Sequence, residues 1–164
     1  MASQLRNPLI IIIIAIIAAV MVISSLGGLE TPSPEGLNIS NLTLEKDRII
    51  MGENTTLTVE IENTADTSKV FELRMMYTAE DFVFYDTLTG EQLTNIKVNP
   101  NNYTLTHPTK GVLDKKTTIP ITVQGPQPMG SEEEKLITVL VYSIDDNVAL
   151  LSDERVISIT VTFS

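Results

Sequence analysis

From Leu37 onward the chain alternates apolar and polar residues with a period of two. Leu57, Val59 and Ile61 are separated by Thr58 and Glu60; Phe71, Leu73, Met75 and Tyr77 by Glu72, Arg74 and Met76; Ile119, Ile121 and Val123 by Pro120 and Thr122. Successive side chains of a strand point to opposite faces, so this spacing predicts half-buried strands, and the abundance of β-branched residues agrees. Residues 136–144 are more continuously apolar, as a central strand would be, and Ile157, Ile159, Val161 and Phe163 alternate again with Val156, Ser158, Thr160 and Thr162. Turn chemistry separates these runs at Asp47–Arg48, Met51–Asn54, Asn63–Asp66, Thr89–Gly90, Asn99–Asn102, Gly125–Gly130 and Asp145–Asn147. Seven or eight strands, spaced by about 10–15 residues with no amphipathic helix between them, predict an antiparallel β-sandwich of immunoglobulin-like type. The chain has no Cys and no Trp, so the immunoglobulin disulfide and its Trp are missing and the packed core must supply stability.

The N-terminus follows a different pattern. Residues 8–23 read PLIIIIIAIIAAVMVI, without a charge or a polar side chain. Extended to Leu29, the run would span about 33 Å as a helix, close to a hydrocarbon core of about 30 Å. Lipid offers no partner for backbone N–H and C=O groups, so such a segment must be helical. Its length and purity favour a permanent transmembrane anchor over residues 8–29. A cleaved secretory signal, with Ser24–Gly28 offering small residues, and a pilin-like helix packed in a filament are the competing readings. Arg6 precedes the run and Glu30 and Glu35 follow it. The positive-inside rule therefore puts residues 1–7 in the cytoplasm and the rest outside. Residues 30–36, with Pro32 and Pro34, form a stiff linker to the domain at 37–164.

Charge and composition narrow the functions available. Within residues 1–29 Arg6 is the only charged side chain, so the exported part, residues 30–164, holds 10 basic and 21 acidic residues and a net charge of −11. With a sequence pI near 4.4 and no basic stripe, nucleic acid is not an expected partner. Asn38, Asn41, Asn54 and Asn102 each begin an N-x-[ST] tripeptide, the acceptor pattern for N-glycans. Single matches arise often by chance; four in the exported part agree with an extracytoplasmic location, although an Asn- and Thr-rich β protein would also contain them.

Motifs for chemistry are sparse. The single histidine, His107, lies in a polar Asn/Thr stretch and reads as an exposed loop residue, with no nucleophile motif to serve. Asp145, Asp146, Asn147 and Asp153 are oxygen donors that could hold Ca²⁺, but Asp-Asp-Asn is also an ordinary turn. Glu132–Glu134 reads as a solvated charge run. No phosphate loop or zinc helix occurs, so neither an enzyme nor a cofactor is expected. The segment Phe82-Val83-Phe84-Tyr85 places large apolar groups on both faces of one strand. Either cover from the same chain or a partner must bury the second face. Phe82 and Phe84, with Ile96 and Val98 of the next segment, are the candidate surface for an isologous homodimer.

The segment Leu37–Leu44 followed by Met51-Gly52-Glu53-Asn54-Thr55-Thr56-Leu57-Thr58-Val59-Glu60-Ile61-Glu62-Asn63 resembles the opening two strands of archaeal surface immunoglobulin-like domains. One membrane helix followed by one sandwich, in a chain of this size, further resembles the archaellar accessory protein F family, and less closely its relative, the protein G family. That resemblance implies a non-enzymatic stator component of the archaellum. Its sandwich would stand between membrane and S-layer, dimerise, bind the S-layer glycoprotein and work beside protein G. An archaeal type IV pilin-like filament subunit is the alternative.

Overall fold

The computed structural model describes residues 36–78, 82–99, 102–126, 128 and 130–163. The expected anchor at 8–29, the short segment before it and all of the linker but Gly36 lie outside these residues. Among the described residues no helix is long and apolar enough to cross a membrane.

Ten strands follow one another: β1 (Leu37–Leu44), β2 (Arg48–Ile50), β3 (Asn54–Asn63), β4 (Lys69–Tyr77), β5 (Val83–Asp86), β6 (Ile96–Asn99), β7 (Asn102–Leu113), β8 (Lys116–Gln124), β9 (Glu132–Asp145) and β10 (Val148–Thr162). They form two sheets, one of four strands in the order β1-β3-β8-β5 and one of six in the order β2-β10-β9-β4-β7-β6. The expected all-β sandwich is found. All pairings are antiparallel except that of β2 with β10, which is parallel.

The period-two pattern becomes burial directly. Leu57, Val59 and Ile61 of β3, Ile119, Ile121 and Val123 of β8, Leu73, Met75 and Tyr77 of β4 and Ile137, Val139 and Val141 of β9 all turn inward. Two inner faces of this kind, interdigitated, are what hold a sandwich together. At one end Tyr77 gathers an aromatic cluster: its ring centroid lies 4.8 Å from Phe84, 5.7 Å from Phe82 and 5.8 Å from Tyr103. Burial there pushes the Tyr77 phenol well above its ordinary value, with the nearby Tyr103 hydroxyl adding to the shift.

Local chemistry fixes the turns. Asp146 and Asn147 both take positive φ (46° and 65°) between the paired Asp145 and Val148, which closes β9 onto β10 in a two-residue hairpin. Asp and Asn tolerate that left-handed geometry better than most residues. Gly52, at φ 78°, is the third residue of the turn in which the Glu53 N–H reaches the Ile50 carbonyl. That position favours glycine because no Cβ obstructs it. Asn63 joins two turns at once. Its amide nitrogen donates to the Leu113 and Thr67 carbonyls at 2.8 and 2.9 Å, and its oxygen accepts the Ala65 N–H.

Both in-strand prolines fall where a ladder is interrupted. Pro108 lies where the β4–β7 register jumps, between the pairs Arg74↔Thr106 and Glu72↔Lys110. Pro120 sits just beyond the last β5–β8 pair, Asp86↔Ile121. Neither site demands an N–H of a regular ladder on both flanks.

Candidate protein-docking face

The outer faces of the two sheets differ in chemistry. On the four-stranded sheet the outward positions of β1 and β3 are polar: Asn41 and Glu60 lie in one cross-strand row with Thr118, and Thr43 and Thr58 in the next, which ends on Pro120. Lys116 and Glu60 pair there at 2.7 Å, and the carboxylate holds the ammonium pKa above its ordinary value through that hydrogen bond.

The outer face of the six-stranded sheet mixes apolar positions with polar and charged ones. Register places Val112, Val70, Ile144 and Ala149 side by side across β7, β4, β9 and β10. Val112 is 67% exposed and Val70 40%. A parallel row further along runs Ile96, Thr104, Met76, Thr138 and Val156 across five strands. Leu136, Leu151 and Val156 add exposed apolar area on β9 and β10. In the first row the apolar side chains lie on adjacent strands and form a contiguous strip, whereas in the second Thr104 and Thr138 separate them.

An ion cluster lies between those rows. The Glu72 carboxylate, though nearly buried, receives Lys110 Nζ at 2.7 Å and the Arg74 guanidinium at 2.6 Å. Arg74 in turn lies 4.3 Å over the Tyr142 ring, a favourable placement of a cation on an aromatic face. The Lys110 hydrogen bond, helped by Arg74 and opposed by burial, holds the Glu72 carboxyl below its ordinary range. Leu140, paired with Arg74 and facing the same way, is covered despite pointing outward. The sequence pattern alone does not reveal this cluster. The signal was present in the same-face spacing of Glu72 and Arg74, but Lys110 joins them only through long-range pairing of β4 with β7.

The expected dimer surface is corrected. Phe82 and Phe84 are 1% and 0% exposed, packed into the aromatic cluster of the same chain, and so offer nothing to a partner. Only their neighbours Val83 and Tyr85 turn outward, and both are half-buried. Ile96 and Val98 are exposed, at 59% and 58%, on β6. That strand is the edge of the other sheet, so the four residues do not form one surface.

His107 is also corrected. It lies in β7, not in a loop, and is 1% exposed. The Thr109 N–H donates to its Nδ1 at 3.2 Å, which leaves the ring proton on Nε2, a buried atom without a hydrogen-bond partner. Burial lowers the imidazole pKa, against a weaker opposing pull from the buried Asp86 carboxylate. Asp86 itself caps its own turn, accepting the Leu88 and Thr89 N–H groups.

The four oxygen donors considered for Ca²⁺ separate. Asp146 and Asn147 tip the β9–β10 hairpin, whereas Asp153 lies well into β10 and accepts the Ile39 N–H at 2.8 Å. Among the described residues no group of three or more His, Cys, Asp or Glu is placed to hold a metal ion. Within the Glu132–Glu134 run, Glu132 pairs with Arg48 and Glu133 with Lys135. The glycan-acceptor residues Asn41 and Asn54 are exposed, while Asn38 and Asn102 are half-buried.

No protein-family model matches the chain, and no curated protein matches its sequence. Solved structures do. The AvmM structure, described as catalysing macrocyclization in alchivemycin A biosynthesis, covers 77% of this chain and 92% of its own, at 9% identity and a TM-score of 0.51. A cohesin module from a family 33 glycoside hydrolase of Clostridium perfringens ATCC13124 covers 77% and 98%, at 16% identity and 0.49. A type II cohesin domain from the cellulosome of Acetivibrio cellulolyticus covers 76% and 94%, at 10% identity and 0.45. Likeness at such identity concerns the sandwich fold alone, and function has to be argued from the site.

Proposed function

We propose that this chain is a structural, non-enzymatic protein of an archaeal cell envelope. Residues 8–29 hold it in the membrane, and the sandwich stands outside and binds the S-layer glycoprotein. It thereby serves as a stator component against which an archaellum motor turns. The observation that carries the binding role is the apolar strip Val112, Val70, Ile144 and Ala149 on the outer face of the six-stranded sheet, with exposed Met76 and Val156 beyond the ion cluster. Covering such a face contributes about 25 cal/mol per Å² of apolar area removed from water. The Glu72, Arg74 and Lys110 cluster supplies directional partners within it, which fix the orientation of a bound protein more than they add affinity. Self-association, and pairing with a protein G subunit, are assigned to the β6 edge, where Ile96 and Val98 are exposed.

A static element of a motor must be held at both the membrane and the wall, and a single chain with an anchor and a wall-binding domain can be. The order of anchor, proline-containing linker and sandwich in this sequence supports that use. Affinity capture with the detergent-solubilised full chain, from native envelope, tests the reading. The S-layer glycoprotein, identified by mass, is the expected prey. Its absence across neutral and acidic buffers contradicts the stator role.

A further inference from the structure

In a strand, residues i and i+2 share a face, so an Asn-x-Thr tripeptide presents its Asn and Thr together and turns the middle residue away. Two tripeptides here do so on the outer face of the four-stranded sheet. Asn41 pairs with Glu60 and Thr43 with Thr58, while Leu42 between them pairs with the inward Val59. Asn54 pairs with Gln124 and Thr56 with Thr122, while Thr55 turns inward, buried and hydrogen-bonded to the Lys46 N–H and carbonyl. Asn41 is exposed on β1, the edge of its sheet, just past the register shift that follows Ile39. Asn54 is exposed at the first position of β3, beside the Met51–Gly52 turn.

Asn38 begins a third tripeptide and faces the same way, but its Ser40 falls in the register shift of β1, and its side chain differs. It is half-buried, and its amide oxygen is sealed from solvent without a hydrogen-bond partner. A saccharide is bulky and strongly hydrated, and it needs an acceptor whose amide projects into water.

We infer that Asn41 and Asn54 carry N-linked glycans and that Asn38 does not. The inference rests on the exported placement of the domain proposed above. The donor is a saccharide carried on a polyprenyl phosphate or diphosphate, delivered by a membrane transferase. The Asn amide nitrogen bonds to the anomeric carbon, and the bond from that carbon to the phosphate oxygen breaks. The lipid phosphate leaves with the electron pair, and one amide proton passes to a base. Glycans at these two positions stand among polar neighbours, Glu60, Thr58 and Thr118 around Asn41 and Gln124 and Thr122 beside Asn54. They leave the strip from Val112 to Ala149 on the six-stranded sheet uncovered; Asn102, two residues before Thr104 on that sheet's outer face, is half-buried as Asn38 is.

Glycopeptide mass spectrometry of the full chain purified from its native membranes tests the assignment, using fragmentation that keeps saccharides attached so that Asn38 and Asn41 are resolved. The expected result is a saccharide on Asn41 and on Asn54 and an unmodified Asn38. In intact mass, Asn41→Gln and Asn54→Gln each remove one saccharide increment, and Asn38→Gln removes none. An unmodified Asn41 or Asn54, or a saccharide on Asn38, overturns it. Protease treatment of cells stripped of their S-layer separates this failure from that of the broader reading. A domain that is shaved but unmodified sinks the glycan assignment alone, whereas one that is protected and unmodified sinks the exported placement as well.

Discussion

Asp153 of β10 accepts the Ile39 N–H of β1 at 2.8 Å, tying the edge of the four-stranded sheet to the longest strand of the other. Both strands lose regular register here, β1 between Ile39 and Asn41 and β10 between Leu151 and Asp153. The irregularity frees a donor on one strand and brings an acceptor from the other. Asp153→Ala leaves that N–H without its acceptor, at a cost of about 1–3 kcal/mol. Asp153→Asn retains an oxygen and loses less. Urea unfolding of the two variants against the parent checks the order.

The aromatic cluster predicts a larger loss. Phe84 is fully buried against Tyr77 and Phe82. Phe84→Ala opens a cavity worth about 3–5 kcal/mol, far more than a surface change causes. A surface role for Phe84 predicts little change in the same unfolding experiment.

His107 predicts a pH dependence of stability. Burial lowers its folded-state pKa below the ordinary 6.5, so the unfolded chain binds the proton more tightly. The unfolded state then carries more protons below pH 6.5, and stability falls as pH drops through that window towards the folded value. Above 6.5 the ring is neutral in both states and the contribution is complete. Protonation of Nδ1 also breaks the bond from the Thr109 N–H. Glu72 adds a separate loss at lower pH, because its folded pKa lies below 4.5 and its contribution is complete only above that value. Melting temperatures from pH 8 to 3 should show both steps in the parent and only the lower one in His107→Gln.

The anchor and filament readings differ at the first residues. A permanent anchor keeps the segment before Pro8, whereas a pilin-like subunit is trimmed ahead of its apolar run. Intact-mass measurement of the protein from native membranes is expected to find that segment present. A chain beginning near Pro8 supports the filament.

The sandwich was legible because strands such as β3, β4, β8 and β9 each show inward apolar groups at alternate positions. The short edge strand β6 was not: its four residues are all exposed, so no buried face marks it. His107 was misread because its neighbours Thr104, Thr106 and Pro108 are polar or strand-breaking. The inward series Tyr103, Leu105, His107 is a period-two strand when those neighbours are set on the opposite face. Phe82 and Phe84 looked available to a partner because sequence cannot say which strand lies opposite. The ion cluster and the apolar rows depend on the order β10-β9-β4-β7, which no local pattern encodes.

The most direct measurement is titration of purified S-layer glycoprotein with the detergent-solubilised full chain, comparing the parent with Val70→Glu and Val112→Glu. Both valines are exposed on the outer sheet face and contribute little to the core, so the variants keep the parent's melting temperature. The predicted result is saturable binding by the parent and weakening of at least tenfold, about 1.4 kcal/mol, by either charge. Equal binding by all three chains, or none by the parent, contradicts the docking face and the stator role built on it.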